Sequence, residues 1–303
     1  MKDKMNKSIV IGGSSYVGNA ICTHFSNENK ILAATYNKTK NKKLIKFNLE
    51  SDYFNDLDIN FKEAKYAIIS SAITDLDLCK RESDMAYKIN VQGTKNLITN
   101  LFEKDIIPVF FSSSWVFNGQ KGNYSELDET NPNTVYGTHK REVEEFLENS
   151  DQEFLAFRIS KVIGVTPGDG TLITSSIESF LKDEEVKCAY DQKFSPIYIK
   201  DLVEVLDISL DKNLRGTYNL GSPESFSRYD LVNNAKKFLS IEDGRITKIS
   251  LKSIPFEDKR PLDTSINMER LISATEFKFM PMIQCFRELK NNYQNIDKKL
   301  IVN

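Results

Sequence analysis

Short apolar runs alternate with longer amphipathic segments through the first half of this chain. That alternation restricts the fold more than any other feature. The runs at 8–12, 30–35, 43–47, 66–71, 107–113 and 154–159 read as strands, and 17–27, 84–103 and 134–149 read as helices. Strands separated by helices predict an α/β fold, a doubly wound parallel sheet of Rossmann type covered on both faces. Such sheets bind ligands at the carboxyl ends of their strands. The second half is less regular. "GVTPGDGTLI" is a loop, and "FSPIYIKDLVEVLDISL" is a strand followed by a helix started at or near Asp201. "GTYNLG" is a further strand, and "SRYDLVNNAKKFL" is a helix with Ser227 as its N-cap.

Composition narrows the function by exclusion. The 303 residues are 40% hydrophobic and 28% charged, with net charge −2, which favours neither nucleic acid nor an anionic membrane surface as partner. No apolar stretch approaches a membrane span, and the start of the chain does not read as a signal peptide. Cys22, Cys79, Cys188 and Cys285 lie far apart, so a reduced, cytoplasmic protein without structural zinc is expected. With only His24 and His139 available, neither a histidine metal site nor a Ser-His-Asp triad is expected, and no metal is predicted.

The first strand breaks into "GGSSYVG". In a phosphate-cradling turn one glycine allows the sharp turn, a second lets the backbone approach a pyrophosphate, and a third lets helix and strand pack closely. Gly12 and Gly18 fill the first and third roles, and Ser15 stands in the second. The expectation is that the Ser15 N–H or hydroxyl bonds a cofactor phosphate, or that the turn shifts outward. A strand-to-helix turn without a ligand has the same local sequence. The second strand runs into "NKTKNKK" with no acid before Glu50. NAD sites of this design place an acid there for the ribose 2′-hydroxyl, so its absence favours a 2′-phosphate, with Asn37, Lys38 and Lys40 as contacts. A solvated lysine loop is the plainer reading.

Tyr136 and Lys140 are four residues apart and share one helix face. A ketone being reduced needs a proton for its developing alkoxide, and a nearby ammonium is expected to lower a tyrosine's pKa toward the working range. A serine at the end of an adjacent strand, here "FFSSSWVF", can bond the substrate carbonyl. The Tyr-x-x-x-Lys spacing alone is common, and its weight comes from its place downstream of that strand and the glycine turn. His139 is read as a helix residue without a catalytic role, and Trp115 as packing or a pocket wall.

These pieces together resemble the extended short-chain dehydrogenase/reductases, and within them the dTDP-4-dehydrorhamnose reductases and related sugar-nucleotide-binding proteins. The resemblance runs over roughly residues 8–270 and includes "INVQGTKNL", "VFNGQKGNYSELDETNPNTVYGTHK", "FRISKVIG", "SPIYIKDLVE" and "RPLDTSIN". It implies that Gly12, Ser14, Tyr16, Val17 and Gly18 line a pyrophosphate, and that Asn90 is a structural asparagine near the active site; Ala72 completes the cofactor set. It selects Ser113 over Ser112 as the catalytic hydroxyl, Tyr136 as the acid and Lys140 as its partner. Ser113, Trp115, Lys161 and Arg260 would face the substrate. Residues 1–162 with about 196–221 would bind the dinucleotide, and 163–195 with 222–303 would form a smaller C-terminal substrate-binding lobe.

Several positions depart from the family pattern. Ser15 replaces the middle glycine, Ser114 and Trp115 replace an acid and an aromatic, and Lys161 stands where the rhamnose reductases usually carry an aromatic. These changes put the rhamnose substrate in doubt. The implied activity is an NADPH-dependent reduction of a keto group on a nucleotide-activated deoxysugar, with NADP(H) preferred over NAD(H). The missing acids after Ser113 weigh against a dehydratase. An epimerase would use the same three residues with tightly held NAD. A non-catalytic NADP-binding subunit, like the regulatory subunit of methionine adenosyltransferase, is the alternative of another class. The expected partner is a nucleotide sugar, and family members often form homodimers.

Overall fold

Ile9 and Ile11 pack on one side of β1 (Lys7–Ile11), and Val10 packs on the other. Successive strand side chains point to opposite faces, so an unbroken apolar run implies burial on both. The computed structural model describes residues 7–37 and 44–301, with side chains as far as 294. After β1 come β2 (Ile31–Tyr36), β3 (Ile45–Lys46), β4 (Ala64–Ile69), β5 (Ile107–Ser113) and β6 (Leu155–Ile159). Seven more strands follow: β7 (Val162–Ile163), β8 (Val186–Ala189), β9 (Lys193–Phe194), β10 (Ile197–Tyr198), β11 (Gly216–Leu220), β12 (Phe226–Ser227) and β13 (Ile246–Ile249).

The main sheet has seven strands in the order β11-β6-β5-β4-β1-β2-β3, all parallel. The order reverses between β1 and β4, the switch point where such sheets open a crevice. The helices are α1 (Tyr16–Asn27), α2 (Leu76–Arg81), α3 (Ser83–Tyr87), α4 (Thr94–Phe102), α5 (Val135–Glu148), α6 (Leu172–Leu181), α7 (Ile199–Asp211), α8 (Arg228–Phe238), α9 (Glu269–Thr275) and α10 (Met282–Ile301). One face of the sheet meets α1, α7 and α9 through Ile21, Phe25, Leu202, Leu206 and Leu271. The other face meets α4 and α5 through Leu97, Leu101, Val143 and Leu147. A separate apolar cluster joins α6, α8 and α10 around Ile177, Leu231 and Phe286.

The six strands expected in the first half are present within two residues of their expected ends, as far as the described residues reach. The single helix expected over 84–103 differs. It runs without interruption from α3 into α4, but its middle segment at Lys88–Gly93 is π-helical. The wider turn brings Asn90 to the loop after β4, where it bonds both backbone groups of Ile73. The helix expected at Asp201 starts two residues earlier, at Ile199. Ser227 caps α8 as expected, its hydroxyl accepting from the Asp230 N–H at 3.0 Å.

Candidate active site

The glycine turn joins β1 to α1 under tight steric limits. Gly12 has φ +93°, a left-handed conformation that disfavours any Cβ, and a Cβ there would lie 2.3 Å from Ser71 Oγ. A Cβ on Gly18 would lie 2.2 Å from the Gly12 carbonyl oxygen, so helix and turn touch backbone to backbone. Ser15 is the N-cap of α1: its hydroxyl accepts from the Gly18 N–H at 3.0 Å. The Ser15 N–H donates to the Gly12 carbonyl at 2.9 Å. The turn thus already uses this N–H. The hydroxyl hydrogen is the remaining donor. Ser14 and Tyr16 are exposed, and Val17 reaches the cleft described below. Tyr16 extends to Asp169 of the "GVTPGDGTLI" loop at 3.4 Å, where burial and that carboxylate push its phenol up.

Asn37 is exposed at the end of β2, and its amide donates to Asn48 Oδ1 at 3.2 Å. Lys38 and Lys40 lie outside the described residues.

The carboxyl ends of β4, β5 and β6 open into a cleft of about 340 Å³. Ala72, Ser113, Tyr136, Lys140 and Lys161 line it together. Ser113 and Ser112 part ways here. The Ser112 hydroxyl is bound to Glu144 Oε1 at 2.5 Å, within a buried pair of Glu144 and Arg158. Ser113 ends β5, accepts from the Trp115 N–H at 3.2 Å, and lines the cleft together with the Tyr136 phenol. Lys140 is buried; its ammonium donates to the Phe111 carbonyl at 2.7 Å and sits 5.7 Å from the Tyr136 ring centre.

The electrostatics differ from the expected lowering of the tyrosine by the lysine. Burial is the largest influence on both groups. It pushes the Tyr136 phenol well above its ordinary value, with the neighbouring Ser113 hydroxyl pulling partly back. It pushes Lys140 down from 10.5 to about 8. Each is shifted toward its neutral form because the surroundings solvate charge poorly. Tyr136 is therefore fully protonated near neutral pH. His139, beside them in sequence, is buried edge-on against Tyr87 at 5.7 Å and does not line the cleft.

A second cavity of about 390 Å³ adjoins the first and shares Leu76, Trp115 and Lys161 with it. Its far walls come from the C-terminal half and include Lys187, Phe194, Arg228 and Phe256. Arg260 lines it too, held by Asp77 of α2 at 2.8 Å and stacked on Phe256 at 4.3 Å.

Some contributors were not singled out in the sequence. Asp77 fixes Arg260 from 183 residues away, and Asp258 caps α5 by accepting from the Val135 N–H at 2.7 Å. Neither has a local sequence signal. Gly137 does have one, being a glycine directly after Tyr136 inside a helix. A Cβ there would lie 2.2 Å from the Trp115 carbonyl oxygen, so glycine lets α5 press against the Ser113–Trp115 turn.

A parallel sheet in this order, with its cleft over the β4, β5 and β6 ends, is the architecture of the extended short-chain dehydrogenase/reductases. The RmlD substrate binding domain matches residues 6–294, nearly the whole chain, and the chain belongs to that family. Spore coat polysaccharide biosynthesis protein SpsK of Bacillus subtilis is 28% identical over 233 residues, covering 75% of this chain and 77% of that protein. Methionine adenosyltransferase 2 subunit beta of Danio rerio is 22% identical over 286 residues, covering 89% of this chain and 87% of that protein. The crystal structure of dTDP-4-dehydrorhamnose reductase from Bacillus anthracis in complex with NADP shares the fold. Its TM-score is 0.78 at 20% identity, over 96% of this chain and 99% of that one. No helix among the described residues is long and apolar enough to cross a membrane.

Proposed function

We propose that this chain is an NADPH-dependent reductase of a keto group on a nucleotide-activated deoxysugar. The observation that carries the reading is the meeting of Ser113, Tyr136 and Lys140 in one cleft beside a glycine turn without room for side chains. The turn fits a dinucleotide: Gly12 allows the sharp turn, Gly18 lets α1 press against it, and the start of α1 presents positive partial charge. Gly12, Ser14, Tyr16, Val17, Gly18, Ala72 and Asn90 belong to the proposed cofactor side, with Asn37, Lys38 and Lys40 at the ribose phosphate. Residues 1–162 with 196–221 form the proposed cofactor half, and 163–195 with 222–303 the substrate half.

When bound, the cofactor supplies the hydride. Ser113 bonds the ketone oxygen, and Tyr136 gives its phenolic proton to that oxygen as negative charge develops. A phenol kept protonated by burial is suited to donating a proton. Lys140, which titrates near 8, lies beside the phenol to replace the proton and to hold the nicotinamide ribose. Trp115 and Arg260 form the wall on the substrate side. NADPH oxidation on a panel of nucleotide-linked 4-keto-6-deoxyhexoses tests the reading. Tyr136→Phe is expected to lower kcat by roughly 10²- to 10⁴-fold with NADPH binding retained. Equal turnover by wild type and variant would sink it.

The likeness to methionine adenosyltransferase 2 subunit beta over 89% of the chain favours one second reading, an NADP-binding subunit of another enzyme. NADPH binding without turnover on that panel, together with capture of a partner enzyme, would replace the first reading with this one.

A further inference from the structure

The two adjoining cavities carry five cations between them, Lys140, Lys161, Lys187, Arg228 and Arg260, and no Asp or Glu lines either one among the described residues. Two of the five are accounted for. Lys140 donates to the Phe111 carbonyl beside Tyr136, and Arg260 is paired with Asp77. Lys187 and Arg228 line only the cavity on the C-terminal side, where the two phosphates of a nucleotide sugar would lie in the proposed function. Lys161 is left over. It lines both cavities, at their junction, and no carboxylate among the described residues pairs with it. Its protein surroundings, and after them its neighbour Arg228, push its ammonium down from the ordinary lysine value, although the side chain is exposed at the mouth of the cleft. An unpaired ammonium in such a place is stabilised by an incoming anion.

Its position is fixed relative to the proposed reacting centre. Ile159, the last residue of β6, pairs with Ser113 across β5 and β6, and Lys161 follows in the connection from β6 to β7. Both side chains line the same cleft.

We propose that Lys161 is a specificity-determining residue that binds a carboxylate carried by the sugar itself, so that the substrate is an acidic keto-sugar nucleotide. This rests on the nucleotide-sugar reductase reading above and replaces its deoxysugar with a sugar that carries a carboxylate in place of the methyl group. The charge pattern sets the two sugar classes apart. A neutral deoxysugar would offer the Lys161 ammonium no anionic partner. A carboxylate there forms a charge-assisted hydrogen bond.

The test compares binding and turnover in the full chain. Binding of UDP-glucuronate and UDP-glucose, and of the matching dTDP pair, is measured by calorimetry in the presence of NADPH for wild type, Lys161→Met and Lys161→Arg. Wild type is expected to bind the carboxylate member of a pair roughly 10- to 100-fold more tightly. Lys161→Met should abolish that preference by weakening the carboxylate member alone, and Lys161→Arg should keep most of it. Equal affinities within each pair in wild type, or an equal loss for both members in Lys161→Met, would overturn the proposal. Turnover of 4-keto sugar nucleotides differing only by carboxylate or methyl at C5 forms the separate arm. Retained binding preference with no NADPH oxidation would sink the reductase reading and leave the role of Lys161 standing.

Discussion

Replacing Ser15 separates a helix cap from a phosphate ligand. The Ser15 hydroxyl accepts from the Gly18 N–H at 3.0 Å, and its own N–H is committed to Gly12 at 2.9 Å. Removing a serine cap costs about 1 kcal/mol, whereas glycine in its place costs only a few tenths. In a chain of this size 1 kcal/mol lowers Tm by about 2 °C. A hydroxyl bonding a charged phosphate would be worth about 1.5–3 kcal/mol of NADPH affinity, or more than tenfold in Kd. If the cap is the whole role of the side chain, Ser15→Ala lowers Tm by about 2 °C, with Ser15→Gly falling between it and wild type. The Kd for NADPH should change by less than about threefold in both, which lies below the loss of a charged hydrogen bond. Thermal denaturation followed by circular dichroism, with a fluorescence titration of NADPH, reads both quantities. An unchanged Tm in Ser15→Ala with a tenfold weaker Kd would refute the reasoning and make Ser15 a phosphate ligand first.

Lys140→Met is expected to stabilise the chain near pH 7 while removing activity. Below pH 8 both folded and unfolded chains hold the Lys140 proton, so the cost of burying the ammonium is fully present there. It is relieved as pH rises from about 8 to 10.5. The fall from 10.5 to about 8 corresponds to at most about 3 kcal/mol, and the gain in Lys140→Met should shrink across that window in pH-dependent urea melts. Asn90→Ala strands the Ile73 N–H and carbonyl, now bonded at 2.8 and 2.9 Å. A loss of about 2 kcal/mol in denaturant unfolding is expected, together with a raised KM for NADPH because Ala72 adjoins the loosened segment.

The sheet was legible because its strands are short apolar runs whose two faces are both buried, as Ile9, Val10 and Ile11 illustrate. The meeting of Tyr136, Lys140 and Ser113 was legible for a similar reason, since helix period and strand end are local properties. What stayed hidden depends on distant partners. The π-helical widening at Lys88–Gly93 accompanies the Asn90 bonds to a loop after another strand. The anchoring of Arg260 follows from Asp77 on α2, a short helix with no amphipathic period long enough to read. The direction of the Tyr136 shift was misjudged because burial, not the charge of Lys140, is the larger influence, and burial is a property of the whole fold.

β11 pairs with β6 along its full length, yet Gly216 lies opposite Leu155 across a long intervening excursion. During synthesis β6 therefore leaves the ribosome with one edge unpaired and waits ~60 residues for its neighbour, roughly 3–12 s at ordinary elongation rates. Over that interval the strand that leads to Lys161 is an open template for another chain. Slow translation between residues 160 and 216 would lengthen the exposure, so expression yield should depend more on codon choice in that stretch than on the same changes after β11.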